Sequence, residues 1–260
     1  WKGGLSAAGD EHVAGLARLA EAIHADGAVA AIQLVHGGPQ SAVEVTDGER
    51  VGPSAVTPMD DGPVPRELTV EEIQEIEGHF ADAAVRAVEA GFDGVEIHGA
   101  HNFLLDMFLS AKYNVRTDEY GGSIEGRMRM LVEACRKAKE RIGSRGLVWA
   151  RISPFSRLAE GFSRGDLEAL VSGLVGTGID MLHVSTDGAF KEYFGSGRTV
   201  GQLVKGMCEL PVIVAGGLGD PADAERAVAE GHCDFAAVGN AMYEDAEWTE
   251  RAREALGALG

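Results

Sequence analysis

Two histidines three residues apart, His98 and His101, stand at the exit of a short apolar run, Val95-Glu96-Ile97, where both imidazoles can face one ligand. Three chemistries suit such a pair. Metal ligation lacks a third His, Cys or carboxylate at matching spacing. A structural role would satisfy each ring nitrogen inside the core. The favoured reading has both imidazoles donating hydrogen bonds to a substrate oxygen. Gln33 lies inside an apolar run, and a buried amide is costly unless paired, so it bonds either to backbone or to a ligand amide. Arg151, between Ala150 and Ile152, needs either an anionic or carbonyl-rich ligand or a carboxylate elsewhere in the core, since breaking a buried ion pair costs about 3–5 kcal/mol. Gly216-Gly217 and Gly239-Asn240 follow two late strands, where backbone N–H groups and a helix N-terminus can face a phosphate.

These residues share one feature: each lies toward the C-terminal end of an apolar run of strand length. The elements that carry them alternate. An apolar stripe, Val13, Leu16, Leu19, Ala20 and Ile23, predicts a helix that stops at Asp26-Gly27. A strand is expected over 28–36, ending in the turn Gly37-Gly38-Pro39. Residues 40–68 have no clear period and read as a long functional loop. Thr69 with Glu72 is a capping box, opening a helix to about Glu89. Strand-like runs follow at 95–97, 147–153, 181–185, 211–217 and 235–240. Between and after them, helices are expected at 127–142, 166–176, 199–207, 221–231 and 247–256, and the 103–109 segment is an apolar patch. One helix followed by six βα units, with no polar linker, predicts a parallel sheet in a single domain over residues 1–260. The fold expected is α/β, a (β/α)8 TIM barrel two strands short of closure. The chain begins at Trp1, not methionine, and the expectation is that the first strand, first helix and second strand lie outside this sequence.

The net charge of −18 opposes nucleic acid and anionic membrane surfaces as partners. No run of about 18 apolar residues occurs, so a soluble, cytoplasmic protein is expected. Cys135, Cys208 and Cys233 lack CxxC spacing and read as buried thiols, with neither disulfides nor zinc expected.

The sequence resembles the old yellow enzyme family of flavin-dependent oxidoreductases over essentially its whole length. The resemblance is carried by Ile32-Gln33-Leu34-Val35-His36-Gly37-Gly38, by Gly94-Val95-Glu96-Ile97-His98-Gly99-Ala100-His101, and by residues 114–123 with Arg127 and Arg129. Arg151-Ile152-Ser153 and Val214-Ala215-Gly216-Gly217 complete it. The resemblance implies FMN at the C-terminal mouth of the barrel, with NADH or NADPH as reductant. It implies Gln33 on the flavin's pyrimidine edge, Arg151 near its N1/C2 carbonyl region, and the phosphate against Gly216, Gly217, Gly239 and Asn240. His98 and His101 match the catalytic pair that binds an electron-withdrawing oxygen of a small-molecule substrate, an activated alkene reduced by hydride from flavin N5. Family members often form dimers or tetramers, so a homo-oligomer is compatible with it.

Two positions depart from the pattern. Where many members have a proton-donating tyrosine beside the substrate, this chain has Phe103, and the family's Gly-Arg phosphate grip reads Gly239-Asn240. These departures, with the N-terminal strands expected to lie outside this sequence, keep open a degenerate flavin-barrel binding protein without redox turnover; a catalytic domain like that of flavin amine dehydrogenases, which shares the fold and much of the site, is a further alternative.

Overall fold

The computed structural model describes residues 3–42, 46, 49–57 and 63–257. Its helices are α1 (Val13–His24), α2 (Val70–Glu89), α3 (Leu104–Leu109), α4 (Ile124–Arg127), α5 (Arg129–Ile142), α6 (Arg164–Val175), α7 (Val200–Lys205), α8 (Pro221–Ala229), α9 (Asn240–Glu244) and α10 (Trp248–Gly257). Its strands are β1 (Ala31–Leu34), β2 (Val51–Gly52), β3 (Arg66–Glu67), β4 (Gly94–Gly99), β5 (Leu147–Ile152), β6 (Met181–Ser185), β7 (Val212–Ala215) and β8 (Phe235–Ala237). Six of them form one parallel sheet in the order β1-β4-β5-β6-β7-β8. The sheet curls as part of a barrel. Among the described residues β1 and β8 do not pair, and both edges show apolar side chains to solvent, with Val35 43% and Phe235 54% exposed.

Helix starts follow local chemistry. The predicted capping box at Thr69 is present: its hydroxyl accepts from the Glu72 N–H, and Glu72 accepts from the Thr69 N–H. The same device opens α6 at Ser163 with Asp166 and α7 at Thr199 with Gln202. The helix expected over 127–142 is α5, which starts at Arg129 after a break at Met128 and is preceded by a single turn, α4, at Ile124–Arg127. The apolar patch at 103–109 is α3, every residue of it buried. Its spacing is too short to show a helical period. The long loop carries a small parallel pair, β2 and β3.

A repeated aspartate fixes the N-terminal end of the sheet. Asp93, Asp180 and Asp234 each immediately precede a strand, β4, β6 and β8. Each carboxylate accepts from a backbone N–H at the start of the neighbouring strand: Ala30 at 2.8 Å, Val148 at 2.7 Å and Val212 at 2.8 Å. Each also accepts from a side chain on a preceding helix, the His24 imidazole and the Lys139 and Lys205 ammonium groups in turn. This end of the sheet is a stability face, which leaves the other end for chemistry.

Strand alternation then divides the side chains. Val95, Ile97, Val148, Ala150, Ile152, Leu182 and Val184 are buried toward the helices. Glu96 and His98, Trp149 and Arg151, and His183 and Ser185 occupy the intervening positions, on the concave face.

Candidate active site

The concave face carries a polar layer that begins with a buried carboxylate. Glu96 accepts from Gln33 Nε2 at 2.5 Å, from Trp149 Nε1 at 2.5 Å and from His183 Nδ1 at 2.6 Å. Burial opposes its charge, yet the bonds from His183, Gln33 and Trp149 hold its pKa below the usual carboxylate range. Gln33 was expected to be buried in a covered strand. It is exposed instead, because β1 is an edge of the sheet, and its amide is tied to a side chain rather than to backbone. With Nε2 spent on Glu96, the amide presents its carbonyl oxygen.

Arg151 pairs with no carboxylate among the described residues. Its Nη2 donates to Ser185 Oγ at 3.0 Å, and its Nε is buried without a partner among them. Burial lowers its affinity for the proton, partly offset by the charge of Glu96. Ser185 Oγ also lies 2.8 Å from His101 Nε2. Arginine can only donate, so the one hydroxyl proton is free for the imidazole. That arrangement satisfies all three groups and puts the ring proton of His101 on Nδ1.

His98 and His101 come together at the end of β4, ring centroids 5.3 Å apart and edge-on at 83°. The Phe103 ring lies 5.0 Å from His98 on its other side. Burial, then the charges of His101 and Arg151, push His98 down to about 3; burial and Arg151 push His101 down to about 4. Both imidazoles are therefore neutral near pH 7, and each has one N–H to give. His98 Nδ1, Arg151 Nε, Ser153 Oγ and His183 Nε2 are all buried without partners among the described residues. Buried native polar groups are rarely left so, and four at one mouth mark a place where a ligand supplies the partners.

Gly216 and Gly217 follow β7, and Gly239 and Asn240 follow β8, as expected from their spacing. Gly216 has φ 150°, and a Cβ there would sit 2.4 Å from the Thr186 carbonyl oxygen, so no other residue fits. Gly217, at φ 70°, and Gly239 open onto free space, and Gly217, Gly239 and Asn240 are exposed. The cradle carries no cation from Asn240, the position where the phosphate grip was expected to read arginine. His36, by contrast, serves the turn: its Nδ1 accepts from the Gly38 N–H at 3.0 Å, and its carbonyl accepts from Leu104.

Glu96, Trp149 and His183 were not anticipated. The signal was present: Glu96 lies between Val95 and Ile97, and His183 between Leu182 and Val184, the pattern that drew notice to Arg151. Asp106 and Arg157 left no such trace, since Asp106 sits in an apolar patch without period and Arg157 in a short 3-10 turn, Pro154–Glu160.

A curled parallel sheet with glycine turns after its last two strands and an imidazole pair at its C-terminal mouth is the architecture of a barrel with its polar groups gathered at one end. The chain belongs to the NADH:flavin oxidoreductase / NADH oxidase family, the old yellow enzyme family, whose signature matches residues 2–258. It is 39% identical over 256 residues to an NADH oxidase of Thermoanaerobacter brockii, covering 94% of this chain but only 39% of that protein. An NADPH dehydrogenase of Clostridium acetobutylicum is 34% identical over 91% of this chain and 70% of its own. The solved old yellow enzyme homologue from Zymomonas mobilis superposes with a TM-score of 0.81 at 26% identity, covering 95% of this chain and 72% of its own.

Proposed function

We propose that this chain forms the cofactor and substrate face of an FMN-dependent NAD(P)H oxidoreductase that reduces carbonyl-conjugated alkenes. The observation that carries the reading is the neutral His98–His101 pair, set beside the partnerless Arg151 Nε in one mouth. The residues present fit the cofactor. Arg151 and Gln33 offer a cation and a carbonyl acceptor to the ring edge, and Gly217 and Gly239 open onto free space that a phosphate would occupy beside Gly216 and Asn240. FMN bound there supplies hydride transfer, with NADH or NADPH as the source of reducing equivalents.

The protein's own part is electrostatic. His98 and His101 each donate one hydrogen bond to the substrate's carbonyl oxygen, and these bonds strengthen as negative charge builds on that oxygen. Neutral donors do this without protonating the oxygen. Arg151 and Ser185 hold the His101 ring in register, and Phe103 forms an apolar wall beside His98. A phenyl ring has no proton to give, so the α-carbon takes its proton from water or from an acid other than residue 103. The pocket accepts a small molecule with an electron-withdrawing oxygen.

The test is reconstitution of the protein with FMN, gel filtration, and anaerobic mixing with NADH or NADPH, then with 2-cyclohexen-1-one. A retained flavin band that bleaches with nicotinamide and recovers with the enone is expected. Loss of all flavin on gel filtration would refute the reading. A retained flavin that never bleaches supports the second reading, a flavin-binding barrel without turnover, which Phe103 in the acid's place favours.

A further inference from the structure

His101 and Asn102 are consecutive non-glycine residues with positive φ, 58° and 62°. One such residue costs energy, and two in succession persist only where the surroundings hold them. The restraint comes from a buried cluster behind the mouth. The Asn102 N–H donates to Asp106 Oδ2 at 2.7 Å. Arg157 Nη2 donates to Asn102 Oδ1 at 2.7 Å and to Asp106 Oδ2 at 2.6 Å. Arg157 Nη1 donates to Glu160 Oε1 at 2.7 Å, whose other oxygen accepts from Ser110 Oγ at 2.6 Å. The Arg157 and Asp106 side chains are 2% and 1% exposed. Gln40 Nε2 holds the His101 carbonyl from the opposite side at 2.9 Å.

We propose that Arg157 is the positioning residue for His101: through Asn102 and Asp106 it locks the left-handed turn that aims the imidazole into the mouth. Arg157 touches neither imidazole. It comes from the segment after β5, while the turn follows β4, so the clamp extends the contact between these two paired strands beyond the end of their ladder at Gly99 and Ile152. The inference rests on the reading of His98 and His101 as an oxygen-binding pair. Free of the clamp, the turn relaxes, and His101 swings from a site faced by His98, Arg151, His183 and Glu96 toward solvent.

Two variants loosen the clamp without removing the charge beside Asp106. Asn102→Gly keeps a residue at ease with positive φ but removes the oxygen that Arg157 holds. Arg157→Lys keeps a cation but loses the planar fork. The readouts are the NMR titration of the His101 imidazole, which needs no flavin, and the dissociation constant of 4-hydroxybenzaldehyde from the FMN-loaded protein. The expectation is that both variants move the His101 titration up toward 6.5 and weaken the phenol about tenfold, one neutral hydrogen bond's worth. Asn102→Asp, which restores an oxygen and tolerates the left-handed conformation, is expected to return the phenol constant to within about threefold of the parent. Parent-like titration and phenol binding in Asn102→Gly would overturn the proposal, as would an aspartate variant no better than the glycine one. Arg157→Lys decides if the glycine variant does not fold. A parent that binds no phenol counts against the oxygen-binding reading, while the imidazole titration still judges the clamp.

Discussion

Replacing Glu96 tests the centre of the polar layer. Glu96→Ala removes the shared acceptor of three donors, two of which, Trp149 Nε1 and His183 Nδ1, belong to residues only 8% and 7% exposed. Each buried donor left without a partner costs roughly 1–3 kcal/mol, and Gln33, being exposed, recovers its bond from water. Two such donors give roughly 2–6 kcal/mol, and relief of the carboxylate's own desolvation brings the expected loss into the lower half of that range, about 3 kcal/mol. For a chain of this size that is a drop in Tm of roughly 6–12 °C. Glu96→Gln separates shape from charge. Its amide keeps one acceptor and gains a donor, so Gln33 must turn its own carbonyl inward and present its NH2 to the mouth. The glutamine variant is expected to fold with a smaller loss of Tm, yet to bind FMN with a shifted flavin absorption spectrum, because the ring edge then meets a donor where it met an acceptor. Differential scanning calorimetry and absorbance titration check both. An alanine variant that melts with the parent, or a glutamine variant with an unchanged flavin spectrum, would refute the assignment of Glu96 as the residue that orients Gln33.

The histidine pair makes stability depend on pH with a definite sign. Both folded values lie below the ordinary 6.5, so the unfolded chain binds more protons between pH 6.5 and about 3. Stability is full above pH 6.5 and falls as pH drops through that window, and a urea series that is flat from pH 7 to pH 4 would contradict the lowered values of the pair. At the other end of the sheet, Asp180→Ala orphans the buried Val148 N–H, with an expected cost of about 1–3 kcal/mol by urea denaturation and no change in FMN affinity. A variant that lost flavin while keeping its stability would show that this end is not purely structural.

Strand and helix order was legible because hydrophobic runs and glycine stops are local signals. The six strands of the parallel sheet lie within the predicted runs, mostly shortened at their ends, with β4 one residue longer at its start and two at its end. An unclosed barrel was expected, but its consequence for Gln33 was not legible in the apolar run alone. Gln33 looked like a buried amide because 28–36 is apolar throughout, yet pairing on one side only leaves it exposed. Partner choice was equally hidden. Arg151 was expected to find either an anionic ligand or a carboxylate of the core, and the nearest carboxylate, Glu96, is already occupied by three donors. That outcome depends on side chains from β1, β5 and β6 meeting across the sheet.

The same occupation bears on the proposal that the mouth holds an anionic group. Had Glu96 pointed freely into the site, its charge would have neutralised Arg151 and repelled negative charge developing on a ligand. Bound by Gln33, Trp149 and His183, it acts as an anchor below the site. The Arg151 charge is left to act at the mouth, through Ser185 and its unpaired Nε. The two lowered imidazole values follow from that free charge and from burial together, since a protonated histidine beside Arg151 would face like charge with little water to screen it. A neutral donor pair and an unneutralised guanidinium are thus consequences of one prior choice, the satisfaction of Glu96. A substitution that frees that carboxylate should raise the affinity of His98 and His101 for protons while weakening the hold on any anion above them.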